Sequence, residues 1–209
     1  MAKIDSHTPI TLFWFRRDLR LDDNAGLYHA LKSGNPVLCL FIFDKLILDQ
    51  LEDKDDARVT FIYQTIEELH KALHKQGSAL LVLHNEPVNA WQYVLKKYKV
   101  ASVYANHDYE PYAKARDTKI ADLLKEKNIR FNTYKDQVIF EKNEVIKSDG
   151  DPYTVYTPYQ RKWYATLKPF YLKPYPVKKY LHNLYQTPPA PIPGRKAIGF
   201  VINARPFPG

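Results

Sequence analysis

Five short, unbroken apolar runs alternate with segments of helical period across the first two thirds of the chain, and that alternation leaves few folds open. The runs are ITLFWF (10–15), VLCLFIF (37–43), ALLVL (79–83), ASVYA (101–105) and IRFNTY (129–134). Between them lie a helix capped by Asp22, Asp23 or Asn24 and running through Leu31, and a longer one carrying Val59, Ile62, Ile66, Leu69 and Leu73 and stopped at Gly77. A third follows Pro87 with Val88, Trp91, Val94, Leu95 and Tyr98 on its apolar face, and a fourth surrounds Ile120, Leu123 and Leu124. Strands without polar alternation are buried on both faces, as parallel strands are. Strands interleaved with helices join through right-handed crossovers, so the pattern predicts an α/β fold with a doubly wound, five-stranded parallel sheet.

Ligands in such sheets bind outside the carboxyl ends of the strands, where the strand order reverses. The segments that follow strands one, two and four are therefore the candidates: Arg16 to Asp22, Asp44 to Leu51, and Asn106 to Tyr112. The sheet is Rossmann-like in outline, yet RRDLRLDDN after the first strand carries no G-x-G-x-x-G, and no phosphate-binding loop or G-x-S-x-G elbow occurs elsewhere. His70 and His74 have metal-ligand spacing on a helix but lack a third ligand, so they read as surface histidines and no metal is expected. Cys39 lies inside the second apolar run and reads as a core residue. No catalytic constellation is visible.

Charge divides the chain near residue 150. Residues 1–150 hold 22 basic and 22 acidic side chains, so the formal +8 arises in residues 151–209, which hold nine basic residues and one acidic one. That segment also contains 11 of the 15 prolines. The expected division is an α/β domain over 1–135 and a proline-rich basic connector over 136–209, laid over the surface, with one short helix in TPYQRKWYATL starting after Thr157-Pro158. A lone cysteine, the absence of an apolar signal core in MAKIDSHTP and the lack of a long apolar run point to a cytoplasmic protein with no membrane partner.

Three motifs add a family. FWFRRDLRLDDNAGL (13–27), NHDYEPYAKARD (106–117) and PYTVYTPYQRKW (152–163), with a weaker IGF…FPG (198–209), resemble the signatures of the photolyase/cryptochrome family in order and spacing. The resemblance covers the whole chain. It implies the N-terminal antenna-binding domain of a DNA photolyase, a light-driven lyase that repairs pyrimidine dimers in DNA with an electron from FAD. It also implies that a helical FAD domain lies beyond this chain, so that the fragment alone has no repair activity.

By the same resemblance, Phe43, Asp44, Ile47, Leu48, Arg58, Asp108 and Glu110 match positions that line a deazaflavin or FMN slot, and Arg16, which directly follows the first strand, is expected to face the ligand with them. A folate antenna is held in some relatives by an Asn-Glu pair, which here reads Tyr112-Ala113; other relatives use no antenna. Without the resemblance, Asp44, Asp108 and Glu110 read as helix-capping or ion-pair carboxylates, and RRDLRLDD as an ion-pair cluster tying down a loop. Arg161 and Lys162 head a basic, aromatic-rich tail suited to weak DNA contact or to solubility alone. A cryptochrome photoreceptor domain and a free-standing nucleotide-binding module of the electron-transfer-flavoprotein type are the alternatives.

Overall fold

The computed structural model describes residues 8–201; the weak FPG motif at 207–209 and most of the MAKIDSHTP leader lie outside the described residues. Five parallel strands form one sheet: β1 (Ile10–Phe15), β2 (Val37–Asp44), β3 (Leu80–Asn85), β4 (Val100–Asn106) and β5 (Arg130–Tyr134). Their order is β3-β2-β1-β4-β5, so the chain winds outward from β1, then crosses back and continues on its other side. The helices are α1 (Ala25–Leu31), a single turn α2 (Lys45–Leu48), α3 (Ala57–Lys75), α4 (Pro87–Lys97), α5 (Pro111–Glu126) and α6 (Tyr156–Thr166). The doubly wound α/β class expected from the sequence is the fold observed.

Side-chain alternation builds two cores from one sheet. One set of alternating side chains (Phe13, Phe15, Cys39, Phe41, Phe43, Leu80 and Val82) packs with Leu27, Leu31, Val59, Ile66 and Leu73 of α1 and α3. The opposite set (Leu12, Trp14, Leu38, Leu40, Leu81 and Val103) packs with Ala90, Trp91 and Val94 of α4 and Ile120 and Leu124 of α5. Both faces of the adjacent strands β1 and β2 are therefore buried, which is why their sequences show no polar alternation. The edge strand β5 has no buried residue and is tolerated only there. Gly77, at φ 75°, provides the left-handed step that ends α3. Burial pushes the Cys39 thiol well up, as for an inert core residue.

The tail departs from its expected surface course. Val177, Leu184, Ile198 and Phe200 are buried in the first core and Tyr185 in the second. Leu184 forms a parallel bridge to Val37, and the Tyr185 amide donates to the Val37 carbonyl at 2.8 Å. Proline prevents a regular element here without preventing burial, because isolated side chains between prolines can still enter the core while only single amides need partners. The short helix begins at Tyr156 with Val155 as its cap, so Thr157-Pro158 falls inside the first turn instead of capping it. Proline is accepted there because first-turn amides have no intrahelical acceptor. Among the described residues no helix is long and apolar enough to cross a membrane, and no group of three metal-ligating side chains assembles.

Candidate functional site

Strand order decides what the expected residues do. Because β1 lies between β2 and β4, the loops after all three open on one side, and together they enclose a hollow of about 240 Å³. Trp14 to Arg17, Phe41 to Asp44, Ile47 and Leu48 line it from β1, β2 and α2, Val59 and Ile62 from α3, and Asp108, Glu110, Tyr112, Ala113 and Arg116 from the start of α5. Arg16, Phe43, Asp44, Ile47, Leu48, Asp108 and Glu110, all expected from the sequence, thus share one space.

Arg58 does not. Its guanidinium folds back onto Asp56, the α3 cap, with Nη2 to Oδ2 at 2.6 Å, and it is three-quarters exposed. The expectation for Arg58 is corrected by helix geometry: Val59 and Ile62, on the inner face of α3, line the hollow while Arg58 points outward beside its cap. Arg161 and Lys162 lie exposed on α6, with no carboxylate within ion-pair distance among the described residues.

The hollow has apolar walls and a polar edge. Asp44 caps α2 by accepting from the Leu46 amide at 3.0 Å, and its other oxygen accepts from the Tyr112 hydroxyl at 2.5 Å. Burial holds the Asp44 carboxyl above its ordinary range, against the lowering effect of that hydroxyl. The same pair pushes the Tyr112 phenol well up, burial first and the carboxylate second. Asp108, buried, accepts from Arg116 at 3.4 Å, and exposed Glu110 takes Arg17 at 2.7 Å. The carboxylates are thus ion-paired or capping, as the residues alone allowed, and line the hollow as well.

Arg16 carries the unspent capacity of the site. Its side chain is 5% exposed and its Nη1 donates to Asp117, but its Nη2 is buried without a partner. A guanidinium donor left dry is costly unless something accepts from it, and Arg16 lines the hollow. The loop itself is held by a polar knot. Buried Asp18 accepts from the Arg16 amide at 2.9 Å and from Asn106 at 2.6 Å, and Asn106 also bonds Asn24 and the Gly26 amide. Gly26 is required at that contact, since a Cβ would stand 2.7 Å from Asn106 Oδ1 and 2.8 Å from Phe13.

Sequence reasoning placed Tyr112 in a candidate segment without assigning it to the slot, and missed Arg116 altogether. Both belong to the 106–117 motif, and both lie in the first turns of α5, where i and i+4 share a face; that spacing was the available signal.

Comparison with known proteins agrees with this geometry. The DNA photolyase family profile matches residues 11–179. A deoxyribodipyrimidine photolyase of Synechococcus is 37% identical over 158 residues, covering 76% of this chain and 32% of the relative. Chicken cryptochrome-2 is 28% identical over 141 residues, covering 68% of this chain and 24% of that protein. The crystal structure of the archaeal photolyase from Sulfolobus tokodaii, described as containing two FAD molecules and as implying a novel light-harvesting cofactor, is 34% identical. It superposes with a TM-score of 0.58 over 64% of this chain and 32% of its own. This chain therefore spans about a third of the photolyases it matches. With the profile running from β1 into the basic tail, the chain belongs to the DNA photolyase family.

Proposed function

We propose that this chain is the light-harvesting domain of a deoxyribodipyrimidine photolyase and that the hollow seats the flat ring of a deazaflavin- or FMN-type antenna. One observation carries the reading: an apolar slot at the carboxyl ends of β1, β2 and β4 whose buried Arg16 retains an unpartnered donor. A volume of about 240 Å³ falls just under the range of about 300–1,000 Å³ typical of small-molecule sites, so it suits one ring system whose substituents extend through the mouth. Phe43, Leu48, Val59 and Ile62 would pack on the ring faces, Ile47 would cover the mouth, and Arg16 would meet a ring carbonyl. When bound, such a ring absorbs near-ultraviolet or blue light and passes the excitation to a second flavin. A folate held by the 112–113 positions is disfavoured, because Tyr112 is committed to Asp44 and Ala113 offers no polar group.

On this reading residues 1–135 are the antenna domain and 136–209 the connector. The FAD that splits pyrimidine dimers belongs to a helical domain outside this chain, the whole protein is a cytoplasmic DNA-repair lyase, and Arg161 and Lys162 add weak backbone contact with DNA. Similarity to chicken cryptochrome-2 supports a second reading, a photoreceptor domain with the same antenna slot.

Titration of the purified chain with FMN, and separately with a deazaflavin, tests the slot. Binding with a shifted absorption band, lost on Ile47→Asp, is expected; absence of binding by both ligands refutes it. Light-dependent dimer splitting by the complete gene product, against none by this chain, tests the rest and separates photolyase from cryptochrome.

A further inference from the structure

Trp14, near the carboxyl end of β1, lines the hollow, and an indole there is a hazard for a light-harvesting site. Were a flavin-type ring seated in the hollow and photoexcited, Trp14 would be able to give it an electron. The indole would become a radical cation as the ring gained that electron, and recombination would return the electron and lose the excitation as heat. Trp14 is 2% exposed and in edge-to-face contact with Trp91 at 5.4 Å, so a hole formed on Trp14 has a second indole to move to.

Two guanidiniums occupy the same indole. The Arg16 carbon Cζ stands 5.1 Å from the Trp14 ring centroid and that of Arg116 4.9 Å. Both side chains are more than nine-tenths buried. Each is fixed by a carboxylate: Arg16 by Asp117, and Arg116 by Asp117 through Nε and Nη2, both at 3.0 Å. Cations over a π face stabilise the neutral, electron-rich ring and oppose its conversion to a cation. Asp117 and Asp108 offset part of this field, but both guanidiniums stand nearer the indole face than bulk water does, so solvent screens the remainder poorly.

We propose that Arg16 and Arg116 form a charge shield on Trp14, which keeps this indole from quenching a photoexcited ring held in the hollow. The inference rests on the antenna reading above and deepens it: the arginines protect the excited state as well as shaping the slot. Asp117 is the positioning residue of the shield, holding both guanidiniums to the indole from outside the hollow's lining.

The decisive measurement is the fluorescence lifetime of FMN bound to the wild-type chain and to Arg116→Gln, Arg116→Lys and Trp14→Phe/Arg116→Gln, read on the bound fraction so that affinity drops out. Removing one cation near 5 Å shortens the lifetime about tenfold in Arg116→Gln. Arg116→Lys retains most of the lifetime, and loss of the indole in the double variant restores it. An Arg116→Gln lifetime equal to wild type, or a double variant as short-lived as the single one, overturns the proposal. A second arm needs no ligand. One-electron oxidation of the chain by azide radicals, with oxidised tryptophans located by peptide mass spectrometry, is expected to spare Trp14 relative to Trp163 in wild type and Arg116→Lys but not in Arg116→Gln. Equal Trp14 yields in all three overturn the shield. If FMN and deazaflavin fail to bind, the antenna reading falls, and this second arm still decides whether the arginines protect the indole.

Discussion

Asn106→Ala is expected to be among the most damaging single changes in this chain. The Asn106 side chain is 2% exposed and makes three hydrogen bonds: it donates to Asp18 at 2.6 Å and to Asn24 at 2.9 Å, and accepts from the Gly26 amide at 2.7 Å. Asp18 is a buried carboxylate with no cation within ion-pair distance among the described residues, so its stability depends on such donors. A hydrogen bond to a charged group contributes about 1.5–3 kcal/mol, and an orphaned buried amide costs about 1–3 kcal/mol. Truncating Asn106 removes the first and creates the second, for a total of about 2.5–6 kcal/mol. Against a typical stability of about 5–15 kcal/mol this is a large fraction. Urea denaturation of wild type, Asn106→Ala, Asp18→Ala and the double variant provides the measurement. Because both single changes break the same knot, the double variant should lose clearly less than the sum of the singles. A loss below about 1 kcal/mol for Asn106→Ala, or strict additivity, would refute the account, since it would mean that Asp18 draws its support from elsewhere.

Other consequences are equally direct. Because Asp44 titrates above its ordinary value of 3.8, the folded state binds that proton more tightly than the unfolded chain. Its contribution to stability is then fullest below the ordinary value and declines as pH rises through the raised one; Asp44→Asn should flatten that segment in denaturation midpoints taken from about pH 3 to about pH 7. Ile47, 43% exposed at the mouth, should tolerate Asp with a stability change within about 0.5 kcal/mol while flavin affinity, measured by fluorescence titration, falls at least about tenfold. Arg58→Ala, by contrast, should leave that affinity within about twofold, because the side chain is spent on the exposed Asp56 pair. In the complete gene product, replacing Arg161 and Lys162 with Ala should reduce the slope of log binding constant against log salt by up to about 1.8 if both contact phosphates, and an unchanged slope would remove them from the DNA interface.

Much was settled locally. Unbroken apolar runs at 10–15, 37–43 and 79–83 require burial on both faces, and helices between them require a parallel sheet with its loops gathered at the carboxyl edge. That Asp44 and Asp108 follow strands therefore already put them on one side of the sheet, and the RRDLRLDDN and NHDYEPY motifs marked the loops that matter. Local period says nothing about which strands are neighbours, however. Placement of β1 between β2 and β4 is a long-range decision, made by the burial of two cores at once, and it alone turns three separate loops into one hollow. Rotation about α3 turned Arg58 away and Val59 and Ile62 inward. Rotation about α5 brought Arg116 onto Trp14, 102 positions earlier in the numbering of the chain. The tail shows the same limit, because a proline-rich composition forbids ladders and long helices but is silent on whether Leu184 finds a vacancy beside Val37. Composition and period register what each segment must bury; only the closed chain determines which partner it is buried against.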